Sequence, residues 1–498
     1  MPSPTHIAIL GGGVTGLSSA FHLSRRFPHA LITLIEAGAS LGGWVQSERV
    51  HIDRDTSVVL ESGPRTLRPT GKSVLELINL LGLRNELVLT HRNSPVAHNK
   101  FLHEPGIPGI QQIPLPMSKL LIGWPTPMRI LLIRSLVAEV LRAPNRPRHI
   151  DDESVDAFLT RRFNPEFARL FGSAVVHGIF AADSRQLSVR GTFPLLWRME
   201  ERGMGSLLRG LLFSPDTDKC EDDAYDLGDI ASLVKETSVY SFRDGMATLP
   251  RALESHLSGL ENVKVLRNTR ATHLTVNGVD GSIELGASDG LHISPSHVVS
   301  ALPLPVLAQI LSPSAMLPHL TDSTASSVTV MSFVFRSSRR RLHPPGFGYL
   351  VPRPRGGYRD LGNPAGILAT MFESSTLGAQ DSCELTKLTV MLGGPYMSHA
   401  TSPQEVLDAL GTHLWWHGFR RRGRGRFITR PEPVYVRTQH HEGCIPTYAL
   451  GHVQRMERLR AALKAGPWHG RLKVIGAYVG GISVPECVEA GRMVGTEW

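Results

Sequence analysis

Three glycines and one acid, in a fixed order, open the chemistry of this chain. Gly11-x-Gly13-x-x-Gly16 stands in the run ILGGGVTGLSSAF, and Glu36 follows twenty residues after Gly16. The first glycine permits a tight turn, the second lets backbone approach a pyrophosphate, and the third lets a helix pack closely on a strand. With Gly12, Val14 and Thr15 they form a loop whose following helix offers unpaired N–H groups and a positive dipole end to phosphates. Glu36 closes the next apolar run, LITLIE, where a carboxylate can bind both ribose hydroxyls. An acid there disfavours a 2′-phosphate, which leaves NAD and FAD. The same stretch continues as AGASLGGWVQSE, with a second glycine pair, Gly42-Gly43, before Trp44. More glycine lets more backbone approach the cofactor, and a long, extended FAD needs that.

Two further stretches extend the pattern. ESGPRTLRP makes Gly63-Pro64-Arg65 a rigid turn presenting a cation to a flavin or an acidic ligand. VIGAYVGGISVPECVEAGRMVG ends a strand at glycines and starts a helix near Pro485-Glu486. A helix N-terminus aimed at a flavin pyrimidine would stabilise negative charge on the reduced ring. Other groupings carry less. QHHEGC gathers His440, His441 and Cys444 without a matching second cluster, so no metal is expected. FRRRGRGRF, at 419–427, has the composition of an RNA-binding tract, but it is short and isolated and reads as a solvated loop. No nucleic-acid partner is expected, and no nucleophile elbow supports a Ser-His-Asp triad.

The elements that must position these residues follow from pattern and composition. A chain of 498 residues with 41% apolar content can bury two or three cores, and 19% charged residues argue against general disorder. The net charge of +9 suits an anionic partner such as lipid, nucleic acid or a polycarboxylate. Cys220, Cys383, Cys444 and Cys487 are too sparse for a disulfide framework and read as reduced thiols. The first strand, His6 to Leu10, leaves little room for a presequence, and no apolar run reaches the length of a membrane span. The opening reads as βαβ, and Gly71 to Leu89 reads as helix. Thr126-Pro127 caps a helix whose Leu132, Leu136 and Val140 stack on one side, joined by Ile130, Ile133 and Val137, opposite Arg134, Arg142 and Glu139. That face suits either a membrane interface or a domain core. The acidic stretch 213–240 reads as a surface loop or insertion, and 325–395 as a mostly antiparallel sheet.

Taken together, GGGVTGLSSAFHL, EAGASLGGWVQS, ESGPRTLRP, FGSAVVHGIFAADSRQLSVRGTFP, GMATLPRAL, GFGYLVP, TVMLGG, IPTYALGH and GAYVGGISVPECVEAGR resemble the protoporphyrinogen oxidase family, of fungal type, within the amine oxidase-like flavoproteins. These runs extend from Gly11 to Arg492 in the family's order. The resemblance implies an α/β plus α+β fold. A Rossmann-like FAD-binding domain would hold 1–95, 241–305 and 440–498. A helical membrane-associated domain would hold 96–205, and a mixed-sheet substrate domain 206–240 and 306–439. It implies FAD contacts from Gly11 through Gly16, Glu36, Ala37, Gly43, Trp44, Gly63, Pro64, Arg65, Thr66, Val265, Ala477, Ile482, Ser483 and Val484. For a porphyrinogen substrate it implies the Gly178 backbone, apolar Leu350, Met371 and Met391, and Lys100 for the propionates. Lys100 stands where the family often has arginine, and His177 where arginine is also common. The implied activity is oxidation of protoporphyrinogen IX in three two-electron steps with dioxygen as acceptor, with no side-chain catalytic base identified. The implied setting is peripheral attachment to the mitochondrial inner membrane, on the intermembrane-space side, with a homodimer and ferrochelatase as possible associations. The alternatives are another amine oxidase or carotene desaturase, or a non-catalytic Rab-escort-like member of the fold.

Overall fold

The computed structural model describes residues 3–114, 126–142, 144–147, 150–212, 224–277, 281–336, 342–360, 362–381, 385–396, 401–414 and 431–498. The expectations for Cys220, Cys383, residues 213–223 and the arginine–glycine tract at 419–427 lie outside these residues. His6–Leu10 is a strand with no polar face: Ile7 and Ile9 enter one apolar cluster, Ala8 and Leu10 another. Burial on both sides marks a central parallel strand. It pairs in parallel with Leu31–Ile35 on one side and His297–Ser300 on the other. Val263–Leu266 and Leu472–Val474 complete a five-stranded parallel sheet. Helices Val14–Arg26, Lys72–Leu80, Thr248–Ser258 and Val484–Met493 cover one face. A three-stranded antiparallel sheet and helices Leu304–Ile310 and His452–Ala465 cover the other.

A second sheet of seven strands runs in the order Tyr435–Thr447, Thr324–Phe335, Thr386–Gly393, Ile367–Met371, Gly348–Leu350, Phe101–Leu102, Gln111–Gln112. Its pairs are antiparallel except Gly348–Leu350 with Phe101–Leu102. Met331, Phe333, Leu388 and Val390 face helix Pro403–His413. The opposite face carries Val328, Val330, Ala369 and Met391. The sheet continues past residue 440, because Tyr435–Thr447 is one strand hydrogen-bonded to Thr324–Phe335 along its length.

Three segments depart from their sequence reading. The helix expected over Gly71 to Leu89 spans only Lys72–Leu80, because Gly82 turns left-handed at φ 67° and stops it. Leu87–His91 then pairs antiparallel with Thr237–Phe242. That second strand corrects the loop expected over 213–240: Ile230, Val234, Tyr240 and Phe242 are buried in the dinucleotide-side core. The acidic residues before them masked that apolar pattern. The third departure is the helix Pro127–Leu141, which Thr126 caps by accepting from Arg129 N at 3.3 Å. Its buried line is Met128, Leu132, Ser135 and Glu139, whereas Val137, Val140 and Leu141 turn outward, Leu141 at 77% exposure. Glu139 turns inward because Arg162 meets it at 2.8 Å with both side chains fully buried, and Leu207 N donates to it at 2.6 Å. No helix among the described residues is long and apolar enough to cross a membrane.

Removing one partner of a fully buried ion pair leaves an uncompensated charge, at a cost of about 3–5 kcal/mol. Glu139→Ala should therefore lower the urea unfolding midpoint of the helical region. A midpoint within error of wild type would mean Arg162 is satisfied elsewhere.

Candidate cofactor and substrate site

The glycines form a groove in which backbone lies on backbone. A β-carbon on Gly16 would stand 1.9 Å from the Gly11 carbonyl oxygen, so helix and strand close only over glycine. Gly13 N-caps the first helix with no side chain in the cap, leaving its first amides for a ligand. Gly42 N donates to Gly12 O at 2.9 Å, and Gly13 and Gly42 form an isolated bridge. Gly42 and Gly43 are left-handed at φ 101° and 59°, which non-glycine residues rarely adopt. The carboxylate of Glu36 accepts from Gly12 N and Gly38 N, each at 2.7 Å. Those two amides fix its orientation and leave lone pairs for hydroxyl donors. Ala37, Gly43 and Trp44 are exposed along this edge, and Val265 stands next to Leu34 in the neighbouring strand.

The turn at Gly63 closes on the same groove. A β-carbon there would meet the Trp44 carbonyl oxygen at 2.1 Å. Pro64 and Thr66 are half-buried and Arg65 is buried. Arg65 is not a free surface cation: its Nε lies 2.8 Å from Glu373 Oε1. That contact is an ion pair without hydrogen-bond geometry: both Nε and Nη2 of Arg65 are buried without a hydrogen-bond partner among the described residues, as are Arg437 Nη2, Gln439 Oε1 and His441 Nε2. The ring of His441 packs edge-on against Trp44 at 5.4 Å. Burial lowers its pKa, a hydrogen bond to Ser62 opposes this, and the charges of His440, Arg65 and Arg437 add to the lowering. Orphaned polar atoms beside an open glycine groove fit a large polar cofactor such as FAD.

At the C-terminal motif, the Tyr448 hydroxyl donates to the Ala477 carbonyl, tying IPTYALGH to GAYVGG. Ser483 caps helix Val484–Met493 in a capping box: Glu486 N donates to its hydroxyl, and Ser483 N donates to Glu486 Oε2 at 3.0 Å. Pro485 has no N–H, so the free donor expected of this helix end narrows to the amide of Val484. Ile482 is half-buried beside it, and a β-carbon on Gly480 would meet nothing within 4 Å.

The predicted substrate residues gather on one face of the seven-stranded sheet. Leu350 pairs with Ala369, Ala369 with Met391, and Gly348 with Met371. Leu350, Met371 and Met391 share an apolar cluster. Gly178, on helix Ser173–Phe180, sits over it: a β-carbon there would stand 2.7 Å from Leu350 Cδ2. That helix ends where Ala181 turns left-handed at φ 48°, and among the described residues no backbone amide beyond it donates to the Gly178 carbonyl. Lys100 immediately precedes Phe101–Leu102, the strand beside Gly348–Leu350. Lys100 is exposed overall, and partial desolvation of its ammonium and the nearby Arg68 charge lower its pKa. Arg68, from the ESGPRTLRP run, was not singled out in the sequence, nor were Glu373 and Lys387. Lys387 left a signal, a lone charge in the apolar strand TKLTVMLG. A cavity of about 1040 Å³, lined by Arg185, Tyr358, Tyr396 and His440 among others, shares Tyr358 and Tyr396 with that apolar cluster but includes none of the predicted substrate residues.

Comparison with known proteins follows the same lines. Residues 14–495 match the family described as flavin containing amine oxidoreductase. The human protein named protoporphyrinogen oxidase is 32% identical over 99% of this chain and 98% of its own length. The protein of that name from Schizosaccharomyces pombe is 29% identical over 98% and 97%. Among solved structures, one from Exiguobacterium sp. 255-15 superposes with a TM-score of 0.73 at 23% identity, covering 99% of this chain and 98% of that one.

His177, beside Gly178, offers a test by pH. It is fully buried, with Nδ1 2.7 Å from Val351 O and Nε2 3.0 Å from Tyr358 Oη. Burial pushes its pKa down from 6.5 to about 4. Between those values the unfolded chain binds a proton and the native site does not. Its contribution is therefore complete above pH 6.5 and lost as pH falls towards 4. His177→Asn should flatten the fall in unfolding free energy over that window by about one proton's slope. An unchanged slope in urea titrations across the window would assign the proton uptake to other groups.

Proposed function

The chain belongs to the flavin-containing amine oxidoreductases and, within them, to the protoporphyrinogen oxidases; it is an FAD-dependent oxidoreductase, and we propose that it converts protoporphyrinogen IX to protoporphyrin IX in three two-electron steps, with dioxygen as acceptor and hydrogen peroxide as product. One observation carries the substrate reading. A single sheet face sets Leu350, Met371 and Met391 under Gly178, with Lys100 at its edge. Bound FAD supplies a hydride acceptor of suitable redox power.

The chain's own residues bind, orient and exclude water. The amides after Gly13 and the carboxylate of Glu36 would hold the diphosphate and ribose of FAD. Leu350, Met371 and Met391 lie flat against the macrocycle, where apolar contact suits a large ring with few charges. The Gly178 carbonyl, unclaimed by a following helical amide, accepts from a pyrrole N–H and orients the ring. Lys100 and Arg68 meet the propionates. His177 is the nearest imidazole to Gly178 in sequence, but it is fully buried, bonded at both nitrogens and neutral, so it is not the base. Positioning rather than proton abstraction by a side chain dominates this reading.

The exposed side chains Ile130, Val137, Val140 and Leu141 lie on one helix of the region assigned to membrane contact. They support peripheral attachment to a membrane surface through that helix. On the family's model the surface is the intermembrane-space side of the mitochondrial inner membrane, with a homodimer and ferrochelatase as associations.

The deciding assay gives the purified protein protoporphyrinogen IX, anaerobically and in air. Flavin bleaching followed by porphyrin fluorescence is expected. Oxidation of an amine or carotene with no porphyrin formed would replace the substrate reading, and a colourless protein would remove the flavin. Lys100→Ala should raise KM roughly tenfold with FAD retained, the scale of one charge-assisted hydrogen bond. Unchanged kinetics would take the propionate role away from Lys100. Leu141→Asp with Val140→Asp should reduce co-flotation with vesicles containing anionic lipid. Equal flotation would move the attachment surface elsewhere.

A further inference from the structure

Behind Arg65 stands a set of buried charges that the reaction does not use directly. Arg65 and Glu373 are 6% and 4% exposed, and Lys387 and Asp381 are fully buried. Glu373 is shared: Oε1 lies 2.8 Å from Arg65 Nε and Oε2 lies 3.0 Å from Lys387 Nζ. Asp381 Oδ2 meets the other side of Lys387 at 3.2 Å, and the Lys387 ammonium also donates to the Val59 carbonyl. Arg65 and Val59 come from the dinucleotide-binding half, and the other three come from the second sheet or the loop leading into it. The cluster therefore crosses from one half of the molecule to the other.

The arrangement holds Arg65 by one edge only. Glu373 lies against the Nε side as an ion pair at 2.8 Å without hydrogen-bond geometry, and both Nε and Nη2 are buried with no hydrogen-bond partner among the described residues. A buried guanidinium N–H without an acceptor is incomplete until a ligand supplies one. Its turn abuts Trp44, which follows the glycine pair of the groove. Burial opposes charge on Glu373, but the Lys387 and Arg65 cations keep its pKa below the usual range, so the group that fixes Arg65 is an anion.

We propose that Glu373, itself held by Lys387, is a positioning residue for Arg65 and through it sets the charge that the bound flavin meets. This rests on the reading that FAD occupies the glycine groove with Arg65 facing it. The test is the midpoint potential of bound FAD, read by flavin absorbance against a reference dye. Wild type is compared with Arg65→Gln, Glu373→Gln and the double variant.

Arg65→Gln removes a cation and should lower the potential. If Glu373 acts by holding Arg65, Glu373→Gln lowers it too, shifting the oxidised-to-reduced ratio at least threefold. The double variant then falls no further than Arg65→Gln. If Glu373 acts only as a charge, its loss raises the potential. A raised or unchanged value in Glu373→Gln, or an unchanged value in Arg65→Gln, overturns the proposal. Should Glu373→Gln fail to fold, Arg65→Lys keeps the charge but not the fork. Its potential is expected below wild type, and a wild-type value overturns the proposal. A wild-type protein that binds no flavin removes the functional reading itself, so the two failures are distinct.

Discussion

Backbone must touch backbone at three places for this molecule to have a cofactor groove. Gly16 rests on the Gly11 carbonyl, Gly42 bridges to Gly13, and Gly63 closes on the Trp44 carbonyl. At the first and third a β-carbon would come within 2.1 Å of an oxygen, closer than any side chain can be placed. The first helix, the loop after Glu36 and the Arg65 turn are therefore locked to one another before any ligand arrives. Their shared edge is lined by amides, one anchored carboxylate and an exposed tryptophan. That lining suits a long polar cofactor more than a compact one.

The second half depends on pleat alternation rather than on glycine. Successive side chains of a strand face opposite ways, so one register choice sends Phe333 and Val390 to the helix-covered core and Met391 and Val330 to the other side. Residues distant in sequence, Lys100, Leu350, Met371 and Met391, come to one face because four strands agree in register. The parallel pairing of Phe101–Leu102 with Gly348–Leu350 places Lys100 at the edge of that face. A slip of one residue would turn Lys100 into the helix-covered core and take Phe101 out of it.

Much of the dinucleotide half was legible because its signals are local. The glycine spacing, the terminal acid, the apolar strands and the helix start near Pro485-Glu486 each act within a few residues, and the structure has them as read. Local signals also misled. The helix expected from Gly71 to Leu89 ran on because leucines fit either period; Gly82 and the distant strand Thr237–Phe242 decided otherwise. In the helix Pro127–Leu141 the apolar residues outnumbered the polar ones, so spacing alone did not say which of them face the core and placed Glu139 opposite the buried line. Arg162, met only in three dimensions, drew Glu139 inward and turned Val140 and Leu141 out.

The sequence by itself determined the dinucleotide motif and the family. Those properties reside in short runs whose physics is turn geometry, helix ends and periodicity. Tertiary structure alone decided that Arg65 is anchored to Glu373 rather than free, that Arg68 stands near Lys100, and that His177 is a neutral packing group. The first and third depend on the loss of solvent around groups far apart in the chain, whereas Arg68 and Lys100 are both exposed and are brought near one another only by the fold. A buried charge must find a partner wherever the fold places one, and no spacing rule along the chain records which partner that is.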